Sequence, residues 1–321
     1  MAVLFISATP LGDGILSTGI LHALHQRYPD QKISVACGAL PAPLFKPIPY
    51  VERVIVLKKG PRLQHWRHLW KETVCQKWTA VVDLRGSALA YLLWTKNRYR
   101  WQRHLHQSAA GQPLHKVAQL ARVLGIEDQP PSPRLAIDDL LREKLCKRFS
   151  LTPHAKDAPP IIALGPTSSW PMKEWPLERF QSLATSLQQT SSHPPKFLIL
   201  TGPGAERERA MPLLHHLGQE NCIDGAGTLA VDEAAALLSL ANLYVGNDSG
   251  LMHMAAALSV PTLGLFGPSP DTNYRPWGEK TAFCRTRTPF EVAFTQGKQG
   301  QSVMAEIDIA QIMKTLTKIW P

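Results

Sequence analysis

The chain has 321 residues, 44% of them hydrophobic, and a formal net charge of +10 from 35 Lys and Arg against 25 Asp and Glu. That length suits two domains with cores of their own, and no run of 18 apolar residues offers a membrane-spanning helix. Five widely spaced cysteines with no C-x-x-C argue against a disulfide framework or a thiolate zinc site and fit a reducing cytoplasm, and no basic stretch precedes the short first apolar run, so no signal peptide is expected.

Strand-like runs alternate with helical patterns from the start. "VLFIS" (3–7) is a strand, followed by a helix from about Ile15 to Tyr28; "KISVAC" (32–37), "VERVIVL" (51–57) and "TAVVDL" (79–84) are further strands. A helical stretch is expected around 87–97, and another over "HKVAQLARVLG" (115–125), with Gly125 at its C-cap. After a Pro-rich loop and the helix "DDLLREKLCKRF" (138–149), "SLTPHAKDAPP" is the linker candidate. This gives domains of 1–153 and 154–321. The alternation then restarts: "IIALGP" (161–166), "LERFQSLATSLQQ" (177–189), "KFLILTGPG" (196–204), a helix over "ERERAMPLLHHL" interrupted by Pro212, "DEAAALLSLA", "LYVG", "GLMHMAAALS", "TLGLFG" (262–267) and the amphipathic "DIAQIMKTLTKIW". Such repeats read as two doubly wound parallel sheets, the α/β class, whose ligands bind in the loops after the strands.

The charge is uneven. Between Lys58 and His106 lie eleven Lys or Arg, two acids (Glu72 and Asp83) and five of the nine tryptophans. Clustered cations interleaved with Trp suit a membrane surface, an anionic ligand or nucleic acid; a solvated basic face with half-buried Trp is the plainer alternative. Nucleic acid has only charge in its favour, since no RNP, helix-turn-helix or finger spacing accompanies it.

Among the strand-end loops, "SATPLGDG" carries Gly12, Asp13 and Gly14. The glycines suit a tight turn, but neither the dinucleotide fingerprint nor a P-loop is completed. Asp13 reads either as a helix N-cap or as a carboxylate base. In the second half "GPTSSWPMKEW" offers Thr167, Ser168, Ser169 and Lys173, and "TGPGAERE" offers Gly202 and Glu206. "VGNDSGLMHMAAAL" sets the helix start Ser249-Gly250-Leu251 after Asn247 and Asp248. Unpaired N–H groups at a helix start suit a diphosphate, and Lys173 would neutralise it. Glu206 could accept ribose hydroxyls or merely complement its helix dipole; His253, one turn on from Ser249, could touch a ligand or pack in the core.

At these residues the chain resembles a known family. "GNDSGLMHMAAALSVPTLGLFGPSP" is similar to the signature of glycosyltransferase family 9, which contains the ADP-heptose:lipopolysaccharide heptosyltransferases. "LGDGILSTGIL", "PTSSWPMKEWPLERF", "VVDLRG" and "HKVAQLARVLG" resemble further landmarks, so the likeness runs from about residue 3 to 320. Gly19 stands where the family has proline, and apolar residues replace a usual basic one after "VVDLRG".

The resemblance implies a GT-B fold, two facing Rossmann-like domains with a central cleft. An anionic glycolipid acceptor would bind the first domain and a nucleotide sugar the second, and the last helix, about 307–320, would return to pack on the first. It implies inverting, metal-independent transfer with no cofactor beyond the ADP-sugar donor. Asp13 would be the base, Lys173 and Asp248 would act with it, and Gly12, Gly14 and Arg85 would meet the acceptor. Thr167, Ser168, Ser169, Gly202, Glu206, Leu229, Ser249, Gly250, Leu251 and His253 would bind the donor. A cytoplasmic monomer that binds no nucleic acid is expected, with room for peripheral contact with the inner membrane. The alternatives are a degenerate nucleotide-sugar-binding protein without transferase activity, a GT-B epimerase, or a transferase for another nucleotide sugar.

Overall fold

The computed structural model describes residues 2–58, 60–102, 105, 111–152, 158–190 and 193–320. The chain divides into two compact units, Met1–Ala136 and Ile137–Pro321.

The first unit is built on β1 (Ala2–Ile6), α1 (Leu11–Leu16), α2 (Thr18–Arg27), β2 (Ile33–Cys37), α3 (Ala42–Phe45), β3 (Val51–Val56), α4 (Gln64–Thr73), β4 (Trp78–Asp83), β5 (Thr95–Arg100) and α5 (Lys116–Ala121). Its five strands are all parallel, in the order β3-β2-β1-β4-β5. β1 and β2 are buried along their whole length, as strands covered on both faces by helices must be. Leu4, Ile6, Ile55, Leu69, Trp78, Val81 and Leu89 share one core.

The second unit runs α6 (Asp139–Arg148), β6 (Ile161–Gly165), α7 (Leu177–Thr190), β7 (Lys196–Ile199), α8 (Ala205–Asn221), β8 (Cys222–Asp224), α9 (Val231–Leu238), β9 (Leu243–Asn247), α10 (Gly250–Ala257), β10 (Thr262–Phe266), α11 (Asp271–Tyr274), β11 (Thr281–Arg285), α12 (Phe290–Lys298) and α13 (Ile309–Leu316). Its six parallel strands lie in the order β11-β10-β9-β6-β7-β8. α13 joins this unit's core through Ile312 and Leu316.

Both sheets have the doubly wound order. The direction of winding reverses between β1 and β4 in the first and between β6 and β9 in the second, and such reversals open the crevices in which α/β sheets bind ligands. Each unit is a doubly wound, Rossmann-like α/β domain, as the GT-B expectation requires.

Several local expectations change. The first helix is two, α1 and α2, meeting at Ser17, whose Oγ turns back to the Gly14 carbonyl at 2.7 Å. Residues 87–97 are not a helix: a 3-10 turn, Ala88–Tyr91, leads into β5. Asp13 is no N-cap; Pro10 holds that position and Asp13 lies in the first turn of α1. Gly12 and Gly14 therefore form no tight turn, and Gly14 instead leaves space for Pro41, 2.7 Å from where a Cβ would stand. α8 runs through Pro212 and breaks at Gly218. α6, read from the sequence with the first domain, falls in the second unit, where it packs on α9 and Arg148 reaches Glu233 at 3.9 Å. Residues 153–157 of the linker candidate lie outside the described residues, as do Lys59 and Arg103 of the basic segment. Gly19 has a local reason: a side chain there would drive into the Pro131 carbonyl, in a loop pinned to α2 by Arg134 N donating to Thr18 Oγ1 at 2.9 Å.

Candidate functional site

In the second unit the strand-order reversal brings the loops after β6 and β9 side by side. Asn247, fully buried at the end of β9, joins them. Its side-chain amide donates to the Pro166 carbonyl at 2.8 Å, and its Oδ1 accepts from Trp175 N at 2.9 Å. Trp175 is buried edge-on against Phe180 and donates its indole N–H to Ile307 O at 2.9 Å. With both ends of the 166–175 loop held, Lys173 Nζ meets Asp248 Oδ2 at 2.7 Å. The pair sits deep, with 7% of the Asp248 side chain exposed and 26% of the Lys173 side chain. His253 Nε2 lies 4.0 Å from the other oxygen of Asp248.

Directly after Asp248, Ser249 occupies the N-cap of α10 in an extended conformation and makes no side-chain cap bond. The first N–H groups of α10 are thus left without the usual side-chain acceptor, at the positive end of the helix dipole. The space behind is unusual. Tyr244 is wholly buried, and its phenol spreads across the positions where Gly165 and Gly246 would carry side chains. Tyr244 Oη and Ser249 Oγ are both buried and face each other, and among the described residues neither meets a partner in ordinary hydrogen-bond geometry; burial, outweighing the nearby Ser249 hydroxyl, pushes the Tyr244 phenol well above its usual pKa.

The neighbouring loop is built around two carboxylates. Glu206, in the first turn of α8, accepts at Oε2 from Thr167 Oγ1 (3.1 Å) and from Gly202 N (3.2 Å). A side chain at Gly202 would press on this carboxylate. Glu174 takes the Arg209 guanidinium in a fork, with N–O distances from 2.8 to 3.2 Å, and accepts Ser168 N at 2.8 Å. Arg209 also donates to Ser168 O at 2.9 Å, and Ser168 Oγ donates to Trp170 O at 2.7 Å. Ser168 is therefore committed to holding the loop, while Ser169 is exposed. Leu229, half-buried after β8, packs by Gly225 beside Leu200.

The structure thus gathers Thr167, Ser168, Lys173, Gly202, Glu206, Asp248 and His253 by direct bonds or contacts around one sheet edge, with Ser249, Gly250 and Leu251 opening α10 beside them. Sequence reading missed Glu174, Arg209 and Tyr244. The first two look like ordinary surface charges, and the third like a core aromatic; only the two facing glycines hinted that Tyr244 needs their space.

In the first unit the reversal lies between the loops after β1 and β4. Asp13, half-buried in α1, follows the first. In the second, the wholly buried Asp83 accepts from Arg85 N (2.9 Å), Ser87 N (2.7 Å) and Ser87 Oγ (2.6 Å). Burial raises the Asp83 carboxyl against those bonds. The Arg85 guanidinium lies over the Trp66 ring, 4.5 Å from its centroid, with Nη1 buried and without a hydrogen-bond partner among the described residues. It borders an open cavity of about 640 Å³ lined also by Leu63, Trp66, Arg67, Trp70 and Leu92. Among the described residues no group of three or more His, Cys, Asp or Glu is placed to hold a metal ion.

Comparison with known proteins supplies the lineage. The family described as "Glycosyltransferase family 9 (heptosyltransferase)" matches residues 75–302. Lipopolysaccharide heptosyltransferase 2 of Salmonella typhimurium is 25% identical over 319 residues, covering 90% of this chain and 89% of that protein. Among solved structures, a family 9 glycosyltransferase of Veillonella parvula superposes with a TM-score of 0.80 at 22% identity, covering 99% and 97% of the two chains. The Escherichia coli ADP-heptose lipopolysaccharide heptosyltransferase II does so with 0.73 at 21%, covering 100% and 98%.

Proposed function

The chain belongs to glycosyltransferase family 9 and is a glycosyltransferase; we propose that it moves a heptosyl residue from ADP-heptose, with inversion and without a metal ion, onto the inner core of lipopolysaccharide or a related glycolipid at the cytoplasmic face of the inner membrane. The observation that carries this reading is the Lys173–Asp248 pair, which joins the loops after β6 and β9 beside the uncapped start of α10. A diphosphate held there meets an ammonium group and a set of backbone N–H groups already in position. Such preorganised charge is what a departing nucleoside diphosphate requires.

The residues divide the work as follows. The N–H groups at Ser249, Gly250 and Leu251, with Lys173 and Ser169, hold the phosphates, and Asp248 keeps Lys173 in place and faces the sugar. Glu206 offers its Oε1 to the ribose, Thr167 and Gly202 N having taken Oε2, and Leu229 packs on the base. Asp13 accepts the proton of the acceptor hydroxyl as that oxygen bonds to the anomeric carbon. The bond from that carbon to the phosphate oxygen breaks with its electron pair going to ADP. Gly12, Gly14 and Arg85 serve the acceptor side. The Salmonella and Escherichia coli relatives, both named as lipopolysaccharide heptosyltransferases, support heptose and lipopolysaccharide as the substrates.

A thermal-shift panel of ADP, UDP, GDP and their sugars tests the donor. ADP-heptose should stabilise the chain most, by about 2.7 kcal/mol at a hundredfold excess over its dissociation constant. A larger shift with UDP- or GDP-sugars would refute the ADP assignment.

A further inference from the structure

Five of the eight exposed large hydrophobic residues among those described fall between positions 63 and 94: Leu63, Trp70, Tyr91, Leu92 and Trp94. Leu92 is 64% exposed and Trp94 73%. They are not loose ends. The 88–94 segment is pinned from β5, where Arg98 Nε donates to Ala90 O at 2.6 Å and Arg100 Nε donates to Ser87 O at 3.0 Å. Leu93, between the exposed pair, is buried in the core. The rigid backbone therefore holds Leu92 and Trp94 out in water, where each loses the benefit of burial.

The charges around them have one sign. Lys77 Nζ lies 5.4 Å from the Trp94 ring, and the Arg98 and Arg100 guanidinium groups lie 5.3 and 5.5 Å from the Tyr91 ring. The two acids between residues 58 and 102 do not offset this. Asp83 is buried among its own loop's donors, and Glu72 faces Arg53 at 3.8 Å. Leu63, Trp70 and Leu92 also line the cavity bordered by Arg67 and Arg85, a recess apolar within and cationic at its edge. Among the described residues no helix is long and apolar enough to cross a membrane.

We propose that this face of the first unit, α4 with the 88–94 segment, is a docking surface for an anionic lipid bilayer. Trp and Tyr rings with flanking cations match the headgroup level, where an aromatic body meets acyl carbon and a cation meets phosphate. Protein interfaces also favour Trp, Tyr and Arg but are depleted of lysine, whereas Lys71, Lys77 and Lys96 all stand exposed in this segment. Docking needs neither donor nor acceptor, so it goes beyond the heptosyl reading and stands or falls apart from it.

The test is co-sedimentation of the full chain with vesicles of phosphatidylethanolamine and phosphatidylglycerol, against vesicles of phosphatidylcholine alone. The wild-type chain is expected to bind the anionic vesicles, more weakly as salt rises, and to leave the neutral ones in solution. Leu92→Ser with Trp94→Ser should lower the partition coefficient about tenfold or more. Lys77→Glu with Lys96→Glu, two exposed positions, should lower it on anionic vesicles alone. Leu140→Ser with Val292→Ser, exposed on the second unit, should leave it unchanged. A nucleotide thermal shift equal to wild type certifies each variant as folded. Absence of wild-type binding, undiminished binding of both patch variants, or displacement by single-stranded DNA but not by salt-matched buffer would each overturn the proposal.

Discussion

At the winding reversal of the second sheet, the two flanking loops are tied to each other; at that of the first sheet, the β4 loop is tied to itself. Asn247 and the Lys173–Asp248 pair bridge β9 to the β6 loop, whereas Asp83 spends its carboxylate on Arg85 and Ser87 of its own turn. The paired cation of the second sheet has its carboxylate at 2.7 Å, while Arg85 of the first rests on an indole face with one nitrogen unpartnered among the described residues. The difference fits two kinds of ligand. On the proposed reading, a small, highly charged donor would be met by groups fixed in advance, since reorganising them during reaction would forfeit their electrostatic effect. A larger amphipathic acceptor would be met by cations on aromatic surface, able to pair with whatever anion arrives.

The sharpest way to break this division is at Asp13. Asp13→Ala should lower transfer by about 10²–10⁴-fold and leave nucleotide-sugar affinity unchanged by calorimetry; a parallel loss of donor binding would put Asp13 on the donor side. Lys173→Met should cost about 10²–10³ in kcat and weaken ADP binding, without changing acceptor KM. Glu206→Ala should weaken ADP by about ten- to a hundredfold yet have little effect on a 2′,3′-dideoxy analogue; equal losses for both would remove the ribose role. Gly165→Ala should cost about 1–3 kcal/mol by overpacking against Tyr244, seen as a lowered Tm, and Tyr244→Phe in the same chain should recover part of it.

The smallest effect concerns pH, where the units again differ. Burial alone would raise the Asp224 carboxyl, but the Arg207 fork (3.0 and 2.9 Å) and the Ala226 N–H outweigh it and hold it below the usual range. Its stabilising contribution is present above the unfolded value of about 3.9 and lost as pH falls through the lower folded value. Asp83 has the opposite shift, so its charged form is disfavoured in the fold, and the penalty sets in as pH rises through the unfolded value towards the folded one. Arg207→Gln should flatten the acid limb of Tm against pH by an amount worth about 0.5 kcal/mol, the pair being partly exposed.

Central strands such as "VLFIS" and "IIALG" were legible because burial on both faces leaves an unbroken apolar run. β5, "TKNRYR", was not, because an edge strand pairs on one side only and its arginines look like loop or helix surface. β8 is three residues long, too short for any period to register. At the candidate site, strand-end position and the signature spacing single out Asp13, Lys173, Glu206 and Asp248. The Glu174–Arg209 clamp joins residues 35 apart in sequence, and nothing local marks either as a partner.

The three-way packing of Tyr244 with Gly165 and Gly246 has an evolutionary consequence. Two adjacent strands have given up side chains so that a third position can be large, and none of the three can change alone without a clash or a void. Related chains should therefore exchange these positions as a set: where 244 is small, 165 and 246 are free to vary, and where it is aromatic, both should stay glycine. The rim of the candidate site would then drift among lineages in discrete steps, by changing which strand fills the space behind the α10 start.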